Sequence, residues 1–155
     1  MKIYISGSLI SVKDREKAHQ FYEFLADVCS DEGHEPYLPH QNSDPVFHNH
    51  LSNAEVFEKD LTNLSNSDLI LASINEPSTG VGAEIGIALE KNIDLIALYN
   101  KESNPSRFIL GLLLKSKKKI LVYENLEECG SLLKLSLKEM SINNDLKLSK
   151  KPLVS

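Results

Sequence analysis

The sequence predicts an α/β domain, a doubly wound five-stranded parallel sheet with helices on both faces. Two observations carry that expectation. Short apolar runs alternate with helix-period segments along the chain. The runs are also near-continuous in hydrophobicity, as in Leu69-Ile70-Leu71-Ala72, where a strand with one wet face would alternate instead.

Taken in order, Lys2 to Ser6 is the first strand and runs into the turn Ser6-Gly7-Ser8. A helix follows from near Asp14 to before Gly33, with Ala18, Phe21, Tyr22, Leu25 and Val28 spaced as one buried stripe. Gly33 closes it as a C-cap glycine. The second strand is Glu35 to Leu38. The loop from Pro39 to Leu51, carrying Asn, Asp, Pro and three His, is the longest break and the candidate lid. Ser52-Asn53-Ala54-Glu55 is a capping-box pattern that opens a second helix, with Phe57, Leu61 and Leu64 on one face. Asp68 to Ile74 is the third strand, with Asp68 marking the end of the helix connection. Pro77-Ser78-Thr79-Gly80 opens a third helix reaching about Asn92. Ile93 to Tyr99, Pro105 to Lys115, Lys119 to Tyr123 and Leu126 to Met140 complete the alternation as strand, helix, strand, helix. The pattern is Rossmann- or flavodoxin-like, a domain over residues 1–140. Ser141 to Ser155, rich in Ser, Asn and Lys, is expected to be a flexible tail.

Composition narrows the function. At 155 residues, 41% hydrophobic and 25% charged, the chain suits one globular domain and neither a disordered nor a fibrous protein. Its longest apolar stretches, Leu69 to Ile74 and Ile109 to Leu114, are far shorter than the ~20 residues of a membrane span. The opening lacks the basic-then-apolar build of a signal peptide, so a cytoplasmic location is expected, with no membrane partner. A net charge of −5 and a pI near 5.5 argue against nucleic-acid polymers, whose phosphates need a basic surface, but leave room for a small anion. Trp is absent and aromatics are 6%, which weakens a base-stacking platform. Cys29 and Cys129 read as packing residues. His34, His40, His48 and His50 match no compact zinc template, so neither a metal nor a cofactor is expected.

In doubly wound sheets ligands bind beyond the carboxyl ends of the strands. Three segments converge there: Ser6-Gly7-Ser8, His40 with its loop, and Asn75 to Glu84. Gly80 and Gly82 let backbone approach a ligand at a helix start, with Ser78 and Thr79 adding hydroxyls, although the same residues also make an ordinary helix start. Glu84, placed in the first turn, is either a dipole-compensating carboxylate or a nucleophile held ionised. Asp60 lies on the margin of its helix's buried face and needs a partner or a task; a bond to a loop amide would satisfy it structurally. Tyr4 is a core aromatic with its hydroxyl at a sheet end. Ser6 and Ser8 around Gly7 form a plain turn or a phosphate cradle.

Taken together, Tyr4-Ile5-Ser6-Gly7-Ser8, Asp60 with Asp68 before Leu69-Ile70-Leu71-Ala72, and Pro77-Ser78-Thr79-Gly80-Val81-Gly82-Ala83-Glu84-Ile85-Gly86 resemble the nucleoside 2-deoxyribosyltransferase superfamily. Within it, the likeness is strongest to the 2'-deoxynucleoside 5'-phosphate N-hydrolases and covers roughly Met1 to Tyr123. The resemblance implies that Glu84 attacks the anomeric carbon, Tyr4 orients it, and Asp60 assists the leaving base. It implies that Ser8 and Ser78 hold a 5'-phosphate, with Ser6, Gly7, His40, Gly80 and Gly82 completing the substrate site. The reaction implied is hydrolysis of the N-glycosidic bond of (deoxy)nucleoside 5'-monophosphates to free base and (deoxy)ribose 5-phosphate, through a glycosyl-Glu84 intermediate. A base-exchanging deoxyribosyltransferase is the alternative, and a non-catalytic nucleotide sensor a third, against which the presence of both acids argues. After the first turn, where phosphate-binding relatives are rich in arginine and glycine, Lys13 and Arg15 are the available cations. Ala83 stands where relatives often carry an aromatic residue, implying a wider pocket. The transferases' asparagine-bearing C-terminal segment has no counterpart in Ser141 to Ser155, which favours hydrolysis. The resemblance also implies a homodimer or larger homo-oligomer, with Ser106 and Ser116 as candidate contributions to a neighbour's site.

Overall fold

The computed structural model describes residues 1–9, 14–44 and 48–149, with side chains as far as 143. The chain forms β1 (Lys2–Ser6), α1 (Arg15–Asp31), β2 (Glu35–Tyr37), α2 (His40–Ser43), α3 (Asn53–Ser65), β3 (Leu69–Ser73), α4 (Thr79–Glu90), β4 (Asp94–Asn100), α5 (Arg107–Lys115), β5 (Lys119–Tyr123) and α6 (Leu126–Ser149). The five strands pair in parallel in the order β2-β1-β3-β4-β5. From β1 the chain steps outward to β2, then returns past β1 to β3, so the winding reverses between β1 and β3. That is the crevice where such sheets bind ligands.

Side-chain parity sorts the core into two layers. Ile3, Ile5, Leu69, Leu71, Ile96 and Leu98 face the layer of α1 and α6, where they meet Leu25, Cys29, Cys129 and Leu133. Tyr4, Ile70, Ala72, Leu95 and Ala97 face the opposite layer and meet Leu64, Val81, Ile85 and Leu113. Cys29 and Cys129 are free, buried thiols that act as packing groups. Even-numbered β1 residues therefore point toward α4, a parity that decides the site chemistry. At the opposite, amino-terminal end of the β1/β3 pair, Asp68 Oδ2 accepts the Lys2 amide at 2.7 Å.

Local signals act as the sequence suggested. Ser52 and Glu55 close a reciprocal capping box at α3, and Gly33 takes φ 77° just past α1. Three elements differ. Phe57, expected in the buried stripe of α3, is 54% exposed; its ring borders a groove with Ala83 and Ile87 of α4, while Leu64 alone on that helix is fully buried. The candidate lid contains a helical turn, α2, held by Asn42 and Ser43 amides donating to the Pro39 carbonyl. Helix α6 runs past Met140 to Ser149, carrying the first part of the segment expected as a tail; residues 150–155 lie outside the described residues.

Gly7 ends β1 against the Tyr22 ring. A Cβ there would come within 2.8 Å of Tyr22 Cε2 and closer to Cζ and Cε1, and Tyr22 is buried with its hydroxyl donating to the Ser8 carbonyl at 3.0 Å. The ring has no room to retreat without breaking that bond. Gly7→Ala is expected to destabilise by about 1–3 kcal/mol, read as a lowered Tm by calorimetry. An unchanged Tm would show that the turn tolerates a side chain.

Candidate active site

Ser78 caps α4, its Oγ accepting the Val81 amide at 3.4 Å. The helix consequently begins at Thr79 and Glu84 sits in its second turn, not its first as the sequence suggested. At that depth the helix dipole has largely faded. Glu84 is instead held by β1: Tyr4 Oη donates to Oε1 at 2.7 Å and Ser6 Oγ donates to Oε2 at 2.5 Å. Both donors are wholly buried and project from the same face of the strand. Burial pushes the Glu84 pKa up, the two hydroxyls pull it down, and the nearby Asp60 charge pushes it up again, leaving it above the ordinary value. Burial and the Glu84 charge also raise the Tyr4 phenol far above its usual range, so Tyr4 remains a donor at any working pH.

Asp60, on α3, faces α2 and β2. Ser43 Oγ lies 2.8 Å from Oδ2 and 3.1 Å from Oδ1, and Tyr37 Oη donates to Oδ1 at 3.3 Å. Burial raises its pKa, opposed by those two bonds and by Lys59, with a net upward shift. Tyr37 stacks on Tyr4 with ring centroids 5.5 Å apart, so the partners of the two acids also touch each other.

Gly7, Ser8, Ser43, Asp60, Ser78 and Gly80 line a cavity of about 630 Å³, within the size range of small-molecule sites. An adjoining hollow of about 290 Å³ has Asp60, Gly80, Ala83 and Glu84 in its wall and joins the two acids. Other expected positions fall elsewhere. Ser6 is spent on Glu84. Gly82 lines a separate cleft with Ser106 and Phe108, between α4 and α5, and Ser116 caps the end of α5. His40 is buried away from the cavity, stacked on His19 at 4.4 Å with Nε2 3.3 Å from Glu23. Arg15 is engaged by the buried Asp44, and Lys13 lies outside the described residues. No group of three His, Cys, Asp or Glu gathers as a metal site among the described residues, and no described helix is long and apolar enough to cross a membrane.

Sequence reasoning missed Tyr37 and Ser43. Tyr37 was legible in principle, since the parallel register sets it beside Tyr4. Ser43 carried no signal, because a four-residue helix inside a polar loop has no periodicity to find.

Two carboxyl groups, each held by a pair of hydroxyl donors and both with raised pKa, share the wall of one hollow, an arrangement suited to acid–base or nucleophilic chemistry. The family profile described as nucleoside 2-deoxyribosyltransferase matches residues 3–139. The chain belongs to that family and is an enzyme. Among its relatives, a protein of Methanococcoides burtonii is 28% identical over 72% of this chain and 90% of its own, and one of Syntrophotalea carbinolica is 31% identical over 90% and 96%. Both bear the assigned name 2'-deoxynucleoside 5'-phosphate N-hydrolase 1. A CMP N-glycosidase from Clostridium botulinum shares the fold with a TM-score of 0.68 at 20% identity, covering 88% of this chain and 99% of that one.

The raised pKa of Glu84 means that folding binds its proton more tightly. Its contribution to stability is therefore present below the unfolded value and lost as pH rises through the folded value. Glu84→Gln is expected to melt a few degrees higher than the wild type at pH 7, with the difference vanishing below the carboxylate range. A lower Tm at pH 7 would show that the carboxylate is a net stabiliser.

Proposed function

We propose that the protein hydrolyses the N-glycosidic bond of (deoxy)nucleoside 5'-monophosphates, with Glu84 as nucleophile, Tyr4 as the residue that orients it and Asp60 as the acid that protonates the departing base. The observation that carries this is the double hydroxyl grip of Tyr4 and Ser6 on Glu84, opposite a second carboxyl with a raised pKa. Cleaving the bond builds positive charge on the sugar and negative charge on the base, so a carboxylate on one side and a proton source on the other meet both demands. Capture by Glu84 gives a glycosyl ester; water then gives a proton to the Asp60 carboxylate and attacks the same carbon, freeing the sugar phosphate and returning Glu84 as carboxylate and Asp60 as acid. The names borne by the relatives support hydrolysis, and Ser8, Ser78 and the start of α4 around Gly80 offer donors for a dianion. The site is taken to need no cofactor, and the working unit to be a homo-oligomer.

A transferase on free nucleosides has one observation in its favour. No Lys or Arg lines the 630 Å³ cavity among the described residues, although a phosphate dianion is commonly met by one.

Glu84→Gln should lose activity by several orders of magnitude while remaining folded, because shape is kept and the nucleophile's charge is not. Near-normal turnover would remove Glu84 from the chemistry. Asp60→Asn should be impaired least on substrates whose base leaves readily, and equal loss across leaving groups would end its role as acid.

Chromatography of free base and sugar from a panel of nucleotides and nucleosides separates the two reactions. Monophosphates are expected to be cleaved orders of magnitude better than matching nucleosides, with Ser78→Ala narrowing the gap. A preference for nucleosides, with exchange onto added base, would establish the transferase.

A further inference from the structure

We infer that Ser43 is a positioning residue that tunes the acid: its hydroxyl turns between Asp60 and the Pro39 carbonyl as Asp60 loses and regains its proton. This rests on the reading of Asp60 as the proton donor. Ser43 is 4% exposed, and its Oγ has three acceptor atoms in reach: Asp60 Oδ2 at 2.8 Å, Asp60 Oδ1 at 3.1 Å and the Pro39 carbonyl at 3.0 Å. A hydroxyl has one proton to donate. When Asp60 is ionised, that proton belongs on the carboxylate, because a bond to a charged acceptor is the stronger one. When Asp60 is protonated, its own O–H donates to Ser43 Oγ and the Ser43 proton turns to Pro39.

The turn is cheap at the far end. The Pro39 carbonyl already accepts the Asn42 amide at 2.8 Å and the Ser43 amide at 2.7 Å, so it is not orphaned when the hydroxyl leaves it. Ser43 neither gains nor loses a proton overall. The proton passing to the base nitrogen comes from Asp60, and the Ser43 hydroxyl rotates onto the new carboxylate. Asp60 thus has a partner of the right polarity in both states, which an amide donor could not provide. Its other surroundings are fixed: Tyr37 on β2, Tyr4 on β1, Lys59 on its own helix and Glu84 on α4. Lys59 Nζ also donates to the Asn42 carbonyl at 2.9 Å, tying α3 to α2 at this point.

The expected sign follows from the stronger bond. Ser43 favours ionised Asp60, so Ser43→Ala should raise the Asp60 pKa by about one unit. Carboxyl-carbon NMR titration of the unliganded protein reads that shift independently of turnover, and the descending limb of the kcat/KM profile should move up by the same amount. Ser43→Thr, which keeps the hydroxyl, should return both to the wild-type position. Ser43→Cys, with a weak donor of similar volume, should shift both in the direction of Ala and serves if the Ala variant fails to fold. An Asp60 pKa that does not rise in Ala or Cys, or that Thr does not restore, overturns the role of Ser43. A shifted NMR pKa with an unmoved kinetic limb instead overturns the reading of Asp60 as the acid.

Discussion

The site is organised around a carboxyl group inside a largely buried wall. Burial alone drives Glu84 toward its neutral form, which could not serve as the nucleophile of the proposed mechanism. Two hydroxyls from one strand oppose that tendency, and they can do so only because residues two apart on a strand share a face. Tyr4 and Ser6 satisfy the geometry, and Ile5 between them anchors the strand in the opposite core layer. The rest of the fold is arranged around keeping α4 over β1 so that this bond pair forms: Val81 and Ile85 seat the helix on the sheet, one on each side of Glu84 in sequence.

The second acid is held by different means. Asp60 takes its partners from the edge strand β2 and from a short helix in the loop that follows, whereas Glu84 is held by β1, an inner strand. In the proposed mechanism Asp60, which releases and recovers a proton, gains from partners able to reorient, and Glu84, as nucleophile, gains from partners that cannot. The stacking of Tyr4 on Tyr37 connects the two holds across the β1/β2 pair.

How far the sequence revealed this varied with the kind of signal. Strand and helix order followed from uninterrupted apolar runs and from caps such as Ser52 with Glu55 and Gly33, because those patterns report directly on burial and on backbone angles. The identities of Glu84, Asp60 and Tyr4 came from a motif likeness, and the structure adds what a motif does not carry, which is the pairing of Ser6 with Glu84. His40 was drawn to the cavity by its place after β2, yet it stacks on His19 of α1 with its Nε2 toward Glu23. Phe57 obeyed helical periodicity and still stayed exposed, because the groove it borders is open on one side. Ser43 was invisible: its importance arises from a contact between two loop-linked elements, and no local pattern encodes that contact.

The proposed mechanism requires Glu84 to form a bond to the sugar. Mixing the protein with a 2'-deoxynucleoside 5'-monophosphate that it cleaves, quenching with acid during turnover and mapping the peptides by mass spectrometry tests this directly. The expected result is a sugar-phosphate ester on the peptide bearing Glu84, absent in Glu84→Gln and discharged when turnover is allowed to finish. Full turnover with no adduct at any quench time, together with a product of inverted anomeric configuration, would contradict it and make Glu84 a base acting on water.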